Sequence, residues 1–155
     1  MLISNATTIF FDFDGVIKDS VRVKSEAFEK LFSSFGDKAS KKVRRHHESN
    51  GGMSRFEKIP IYLEWVNLPS TPMVVGKFSN EFSKLVMQKV IDSEWVPGVL
   101  NFIENNYKIK NLFIVTATPQ SEIEEIISRI GIAKCFKKII GSPTNKRDAV
   151  SSIVD

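Results

Sequence analysis

The amino-acid sequence predicts an α/β protein, a parallel sheet interrupted by an inserted set of helices, and three observations carry that prediction. The run Thr8-Ile9-Phe10-Phe11-Asp12-Phe13 is apolar on both faces up to its carboxylate, the pattern of a strand buried inside a parallel sheet. Leu112-Phe113-Ile114-Val115 repeats the pattern in the second half of the chain. Between them, from about Ser20 onward, the apolar residues recur at the i, i+3, i+4, i+7 spacing of amphipathic helices. The division that follows is a core of residues 1–17 and 95–155 around a helical domain of residues 18–94.

Composition sets the limits. With 155 residues, 42% hydrophobic and 26% charged, the chain has ordinary globular composition and enough apolar material for one sizeable core. No apolar run approaches the roughly 18 residues of a membrane span, and the N-terminus shows neither a basic leader nor a cleavable apolar segment. A cytoplasmic location is therefore expected. The single cysteine, Cys135, excludes an internal disulfide framework and a cysteine-based zinc site, and beside Phe136 it reads as a small buried hydrophobe.

In chain order, Phe28, Leu31, Phe32 and Phe35 make the first helical stripe, which Gly36 is placed to end. Ala39 to Glu48 is a shorter polar helix, in which Lys41, Lys42, Arg44, Arg45, His46 and His47 read as a solvated face. After Asn50-Gly51-Gly52, Ser54 and Glu57 have capping-box spacing, and Phe56, Ile59, Leu63 and Val66 form a stripe that Pro60 is expected to kink or interrupt. Thr71-Pro72 opens a fourth helix with Val74, Phe78, Phe82, Leu85, Val86 and Val90 on one face. Past Trp95, Pro97-Gly98 starts a short helix to about Asn106. The strand Leu112 to Val115 is expected to end at Thr116, with Thr118-Pro119 capping a helix of Ile123, Ile126, Ile127 and Ile130 that Gly131 closes. Lys138-Ile139-Ile140 reads as a third strand, Gly141-Ser142-Pro143 as a turn, and Thr144 as the cap of a last helix with Lys146 in its first turn.

The chemistry is read from the strand ends. A carboxylate at the end of a buried strand is costly unless something cationic meets it, and Asp12 and Asp14, two residues apart, lie on one side of the strand. Gly15 lets the backbone turn away. Such a pair suits a shared divalent cation or divided nucleophilic and acid/base work. Lys146 in the first turn of a helix opposes the helix dipole, so it is expected to answer to an anion or to the aspartates.

Phe11-Asp12-Phe13-Asp14-Gly15-Val16, Val115-Thr116-Ala117, and Gly141-Ser142-Pro143 with Lys146 resemble, in order, the first three motifs of the haloacid dehalogenase-like superfamily, with a helical cap between the first and second. That resemblance implies a Rossmann-like core with strands ordered 3-2-1, and a magnesium-dependent phosphatase of small phosphorylated metabolites acting through an aspartyl-phosphate. Asp12 would be the nucleophile and Asp14 the acid/base. Thr116, Ala117 and Lys146 would hold the phosphoryl oxygens, and Asp12 and Asp14 would hold Mg2+. Gly51-Gly52-Met53-Ser54-Arg55 resembles the cap stretch of the β-phosphoglucomutase-like branch, where the arginine meets the part of the substrate that is not transferred. A solvated surface arginine is the competing reading.

One departure from the family pattern bears on activity. Members carry a fourth strand with further metal-binding acids, and no such segment follows Ser151-Ser152-Ile153-Val154-Asp155. An incomplete phosphatase is therefore expected, with weak magnesium binding, an uncovered edge on the first strand, and self-association through that edge. A phosphosugar mutase and a catalytically silent polyanion-binding protein are the alternatives. The net charge of +4 favours the latter, but the cations cluster in one segment without a nucleic-acid motif, so nucleic acid is not the expected partner. A phospho-receiver domain is disfavoured because no apolar strand between Asp14 and Thr116 ends in an acceptor aspartate.

Overall fold

The structure is a computed structural model that describes residues 5–154, so Asp155 lies outside the described residues. It divides into two compact units. One is Ser20–Asp92; the other joins the described residues up to Asp19 with those from Ser93.

The helical unit contains α1 (Val21–Leu31), α2 (Asp37–Ser49), α3 (Arg55–Trp65) and α4 (Pro72–Asp92). Its centre is aromatic: Phe28, Phe32, Tyr62 and Phe82 are buried, with the Phe28 ring 4.0 Å from Phe82 and 5.4 Å from Tyr62, centroid to centroid. Full burial of each such side chain contributes about 1.5–3 kcal/mol. Phe35 and Phe56, which helical spacing placed on the core stripes, are exposed. The chain leaves α1 at Phe32, passes through a 3₁₀ turn at Ser33–Phe35, and enters α2 at Gly36 with φ +95°, so this glycine opens the second helix rather than closing the first. Pro60 does not interrupt α3. An interior proline costs about 3 kcal/mol, and buried Ile59, Tyr62 and Leu63 around it are of the size to offset that loss. The capping box forms as the spacing predicts, with the Ser54 hydroxyl accepting the Glu57 amide and the Glu57 carboxylate accepting the Ser54 amide.

The core unit is a three-stranded parallel sheet in the order β1 (Thr8–Phe11), β2 (Asn111–Pro119), β3 (Lys138–Ser142), which is the 3-2-1 order read backwards. The helices are α5 (Val99–Asn106), α6 (Gln120–Arg129) and α7 (Lys146–Val154). Consecutive residues of β1 face opposite ways. Phe11 meets Phe102 of α5 and Phe136 edge-on, at 6.1 and 6.0 Å between centroids. Phe10 lies on the other face with Val115, Ile140 and the α7 residues Ala149, Val150 and Ile153. Ile123, Ile126 and Ile127 of α6 are buried, and Gly131 closes the helix at φ +79°. Cys135 is buried, and loss of solvent pushes its thiol pKa up, consistent with a packing role.

Two strand boundaries differ from the sequence reading, the end of β3, which runs to Ser142 and takes in two residues read as turn, and the end of β2. β2 does not end at Thr116 but runs to Pro119. Its register with β3 pairs Val115 with Ile140 and Pro119 with Ser142, four steps on β2 against two on β3, so β2 carries two extra residues across this span. Bulges of this kind re-aim side chains near functional sites. Among the described residues β1 pairs with β2 alone, and Ile9 and Phe11 border an apolar hollow of about 340 Å³ lined also by Pro97, Val99 and Phe102. This is the edge on which the expectation of self-association rests.

Candidate active site

The site is assembled where β1 and β2 end and α7 begins. After β1 the backbone doubles back: the Phe13 carbonyl accepts the amides of Val16, Ile17 and Lys18, and the Gly15 amide donates to the Lys18 carbonyl. Gly15 sits at φ +74°, a left-handed conformation that costs a residue with Cβ roughly 1–2 kcal/mol. Buried Phe13 and Ile17 anchor the turn, and Asp12 and Asp14 are left half-buried beside it.

Lys146 donates to Asp12 Oδ2 at 2.5 Å, joining residues 134 positions apart, while Asp12 Oδ1 accepts the Phe13 amide at 2.7 Å. The lysine that opposed its helix dipole thus has its anion. The helix is capped by Asn145, not by Thr144: the Asn145 side-chain oxygen accepts the Asp148 amide and its amide donates to the Asp148 carboxylate. Thr144 is exposed.

The β2 bulge supplies the second half of the site. Thr116 and Thr118 are buried, and Ala117 between them is half-buried. The Thr118 amide donates to Thr116 Oγ1 at 3.2 Å, and Thr118 Oγ1 donates to Asp14 Oδ2 at 3.3 Å, across 104 residues. Thr118 does not cap α6, which begins after Pro119 with no side-chain cap. Sequence reasoning missed this residue because Thr118-Pro119 is also a helix-start signature. The available signal was the spacing, since two residues beyond Thr116 on a continuing strand returns to the same face.

Gln120 was likewise missed. Its side chain accepts the Gly141 amide at 2.6 Å and donates to the Ile139 carbonyl at 2.9 Å, stitching α6 to β3 beside the bulge. Gly141 is required there, because a Cβ at that position would stand 2.5 Å from the Thr118 carbonyl oxygen. The Ser142 hydroxyl, buried at the end of β3, has no hydrogen-bond partner among the described residues.

Arg55 is placed inside the helical unit. Its guanidinium donates to Ser83 Oγ at 2.5 Å and to the Ser79 carbonyl at 3.4 Å, and lies over the Phe82 ring at 4.6 Å. It is 5% exposed, so it is not the solvated surface arginine of the competing reading. The basic run on α2 is also less free than a solvated face implies. Arg44 pairs with Glu29 and Glu48, Lys42 lies 3.8 Å from the Trp65 ring centroid, and His47 is buried against Lys58.

The donor chemistry suits a hard cation, since oxygen is offered and neither sulfur nor imidazole accompanies it. Magnesium commonly binds through one or two carboxylates with retained waters and substrate phosphate, and the Asp12 carboxylate with the Asp14 backbone carbonyl offers oxygen of that kind. Among the described residues no group of three or more His, Cys, Asp or Glu is placed to hold a metal ion.

The parallel α/β core gathers paired carboxylates at the first strand end, hydroxyls at the second and a lysine on the helix after the third, at the carboxyl ends of the strands where open α/β sheets bind their ligands. Comparison with known proteins identifies the family. Residues 9–148 match the haloacid dehalogenase-like hydrolases, and the chain belongs to that family. It is 27% identical over 135 residues to a phosphorylated carbohydrates phosphatase of Thermotoga maritima, an alignment covering 85% of this chain and 59% of that protein. The chain thus spans less than two thirds of that relative's length. Its fold matches a β-phosphoglucomutase of Clostridium difficile (TM-score 0.69, 22% identity, 91% of this chain and 64% of that one). It also matches a haloacid dehalogenase-like hydrolase of Streptococcus pneumoniae (TM-score 0.66, 20% identity, 97% and 70%).

Proposed function

We propose that the protein acts on small phosphate esters as a phosphatase through an aspartyl-phosphate intermediate, with Asp12 as nucleophile and Asp14 as acid/base. The observation that carries the reading is the Lys146–Asp12 pair, which brings the first and third sequence motifs together at one strand end. Asp12 forms a bond to phosphorus as the ester oxygen leaves, and Asp14 gives that oxygen its proton. Water then attacks the phosphorus, Asp14 takes the proton back, and inorganic phosphate departs with Asp12 restored. Splitting one displacement into two is the usual gain from a carboxylate nucleophile.

The geometry supports each role at the level of single groups. With side chains 41% and 36% exposed, the Lys146–Asp12 pair is worth about 0–1 kcal/mol. An arriving phosphoryl group can therefore draw the ammonium onto itself at little cost and free Asp12 for attack. Thr116 Oγ1 and the Ala117 amide are the natural donors to the remaining phosphoryl oxygens. Mg2+, held by the Asp12 carboxylate and the Asp14 backbone carbonyl, would neutralise charge on the transferred group. Those two groups by themselves would hold it weakly. The charge to be stabilised is large, since acceleration of phosphate monoester hydrolysis can reach about 10²¹, and positioning supplies only about 7–11 kcal/mol of it.

For Arg55 we propose a bracing role, holding α3 to α4 through Ser83 and Phe82. The test of the main reading is phosphate release from a panel of sugar and alkyl phosphates, with and without magnesium. Inorganic phosphate as product supports the phosphatase, and an isomerised sugar phosphate supports the mutase alternative. Neither product, with retention on an anionic resin that salt reverses, would favour the polyanion-binding reading.

A further inference from the structure

We propose that Thr118 is the positioning residue for Asp14, holding the carboxyl in the orientation from which it serves the leaving oxygen. The proposal deepens the phosphatase reading and rests on it for the role of Asp14. Three observations carry it. The Thr118 hydroxyl, 3% exposed, donates to Asp14 Oδ2 from a residue 104 positions away, so the contact is made by the tertiary fold and not by the local turn.

The hydroxyl is oriented from behind. Thr116 Oγ1 donates to Thr118 Oγ1 at 3.4 Å while accepting the Thr118 amide, so an acceptor position of Thr118 is filled and its own proton is directed to the carboxylate. Catalytic contacts in unliganded sites are often long and tighten on binding, and both of these bonds are at the long end of the range. Finally, the backbone is shaped for this contact. The two extra residues of β2 carry Thr118 through the bulge, and Gly141 leaves the room its carbonyl needs.

The test compares Thr118→Val, which keeps shape and removes the hydroxyl, with Thr118→Ser, which keeps the hydroxyl. A leaving group that needs no proton should hide the defect. With an alkyl phosphate, Thr118→Val is expected to lower kcat about 10- to 100-fold, less than the roughly 10²–10⁴-fold for outright loss of a general acid/base. With p-nitrophenyl phosphate the loss should be less than about threefold, with KM unchanged for both and Thr118→Ser restoring the alkyl activity. An equal loss on both substrates, a rise in KM at constant kcat, or failure of serine to rescue would overturn the proposal. Crystal structures of the wild type and Thr118→Val give a readout independent of turnover. The Asp14 carboxylate is expected to leave its position in the variant while Asp12 and Lys146 stay, and an unmoved Asp14 overturns the positioning role. Absence of phosphate release from the wild type would count against the phosphatase reading, and the two crystal structures would still decide the Thr118 contact.

Discussion

Two lysines in this protein contrast a polar contact arranged for exchange with one arranged for permanence. Lys146 reaches a carboxylate at the end of the sheet, and both partners keep more than a third of their side-chain surface in solvent. Lys58, 1% exposed in the helical unit, places its ammonium 2.9 Å from His47 Nδ1, and His47 packs on the Phe28 ring at 4.9 Å. The two nitrogens share a hydrogen bond inside the packed helices. The first contact can be given up cheaply to a ligand. The second is built into helix packing, where a buried polar group that loses its partner costs about 1–3 kcal/mol or more. The difference shows that burial, more than residue type, separates the cations available for chemistry from those that specify the fold.

The largest effect should come from the exchangeable side. Asp12→Asn is expected to reduce phosphate release to the uncatalysed background and Asp14→Asn to lower it by about 10²–10⁴ on alkyl phosphates. Full turnover by Asp12→Asn would remove the covalent mechanism. Next, the two lysines should separate cleanly. Lys146→Met should lose about 10²–10³ in turnover with less than about 1 kcal/mol change in stability by urea unfolding. Lys58→Ala should instead lose about 2–4 kcal/mol of stability as a truncated buried side chain. If both variants lose mainly activity, the contrast fails.

Arg55→Ala belongs with the permanent group. Loss of its hydrogen bond to Ser83 should destabilise the helical unit by about 1.5–3 kcal/mol, leaving KM for phosphate esters unchanged. A raised KM without destabilisation would return Arg55 to the substrate. Smaller still is the pH response of His46, whose pKa is held below its ordinary value by burial and by the charges of Lys58 and Lys42. The folded state therefore favours neutral His46. Stability from this group is present above about pH 6.5 and declines as pH falls through that value. Unfolding followed from pH 7.5 to 5.5 should show the decline in the wild type and a shallower one in His46→Gln. The smallest change is Ser54→Ala, about 1 kcal/mol from loss of the cap. Hydrogen bonds from Ser54 hold the Glu57 carboxyl below its usual range, so the box should also weaken as pH falls below about 4.5.

Strong periodicity made most helices and strands readable from the sequence, together with the polar residues that end them. The buried strands and the capping box at Ser54 and Glu57 follow from patterns a few residues long, because apolar spacing and turn chemistry are local, and the order of the sheet was implied by the family resemblance that the short motifs carry. Asp12 and Lys146 were legible for the same reason, as charges placed where burial or a helix dipole makes an unpaired charge costly.

Long-range packing settles the places where local rules compete. Thr118-Pro119 satisfies both a helix start and a strand continuation, and the choice was made by the pairing of β2 with β3, which carries Thr118 across the bulge to Asp14. Pro60 breaks a helix by local rule, yet α3 runs through it among buried Ile59, Tyr62 and Leu63. Arg55 and His47 sit in segments rich in polar residues, and they were buried by neighbours contributed from other helices. In each case the deciding partner is distant in sequence, and a contact made only after the chain has folded leaves no periodicity to read.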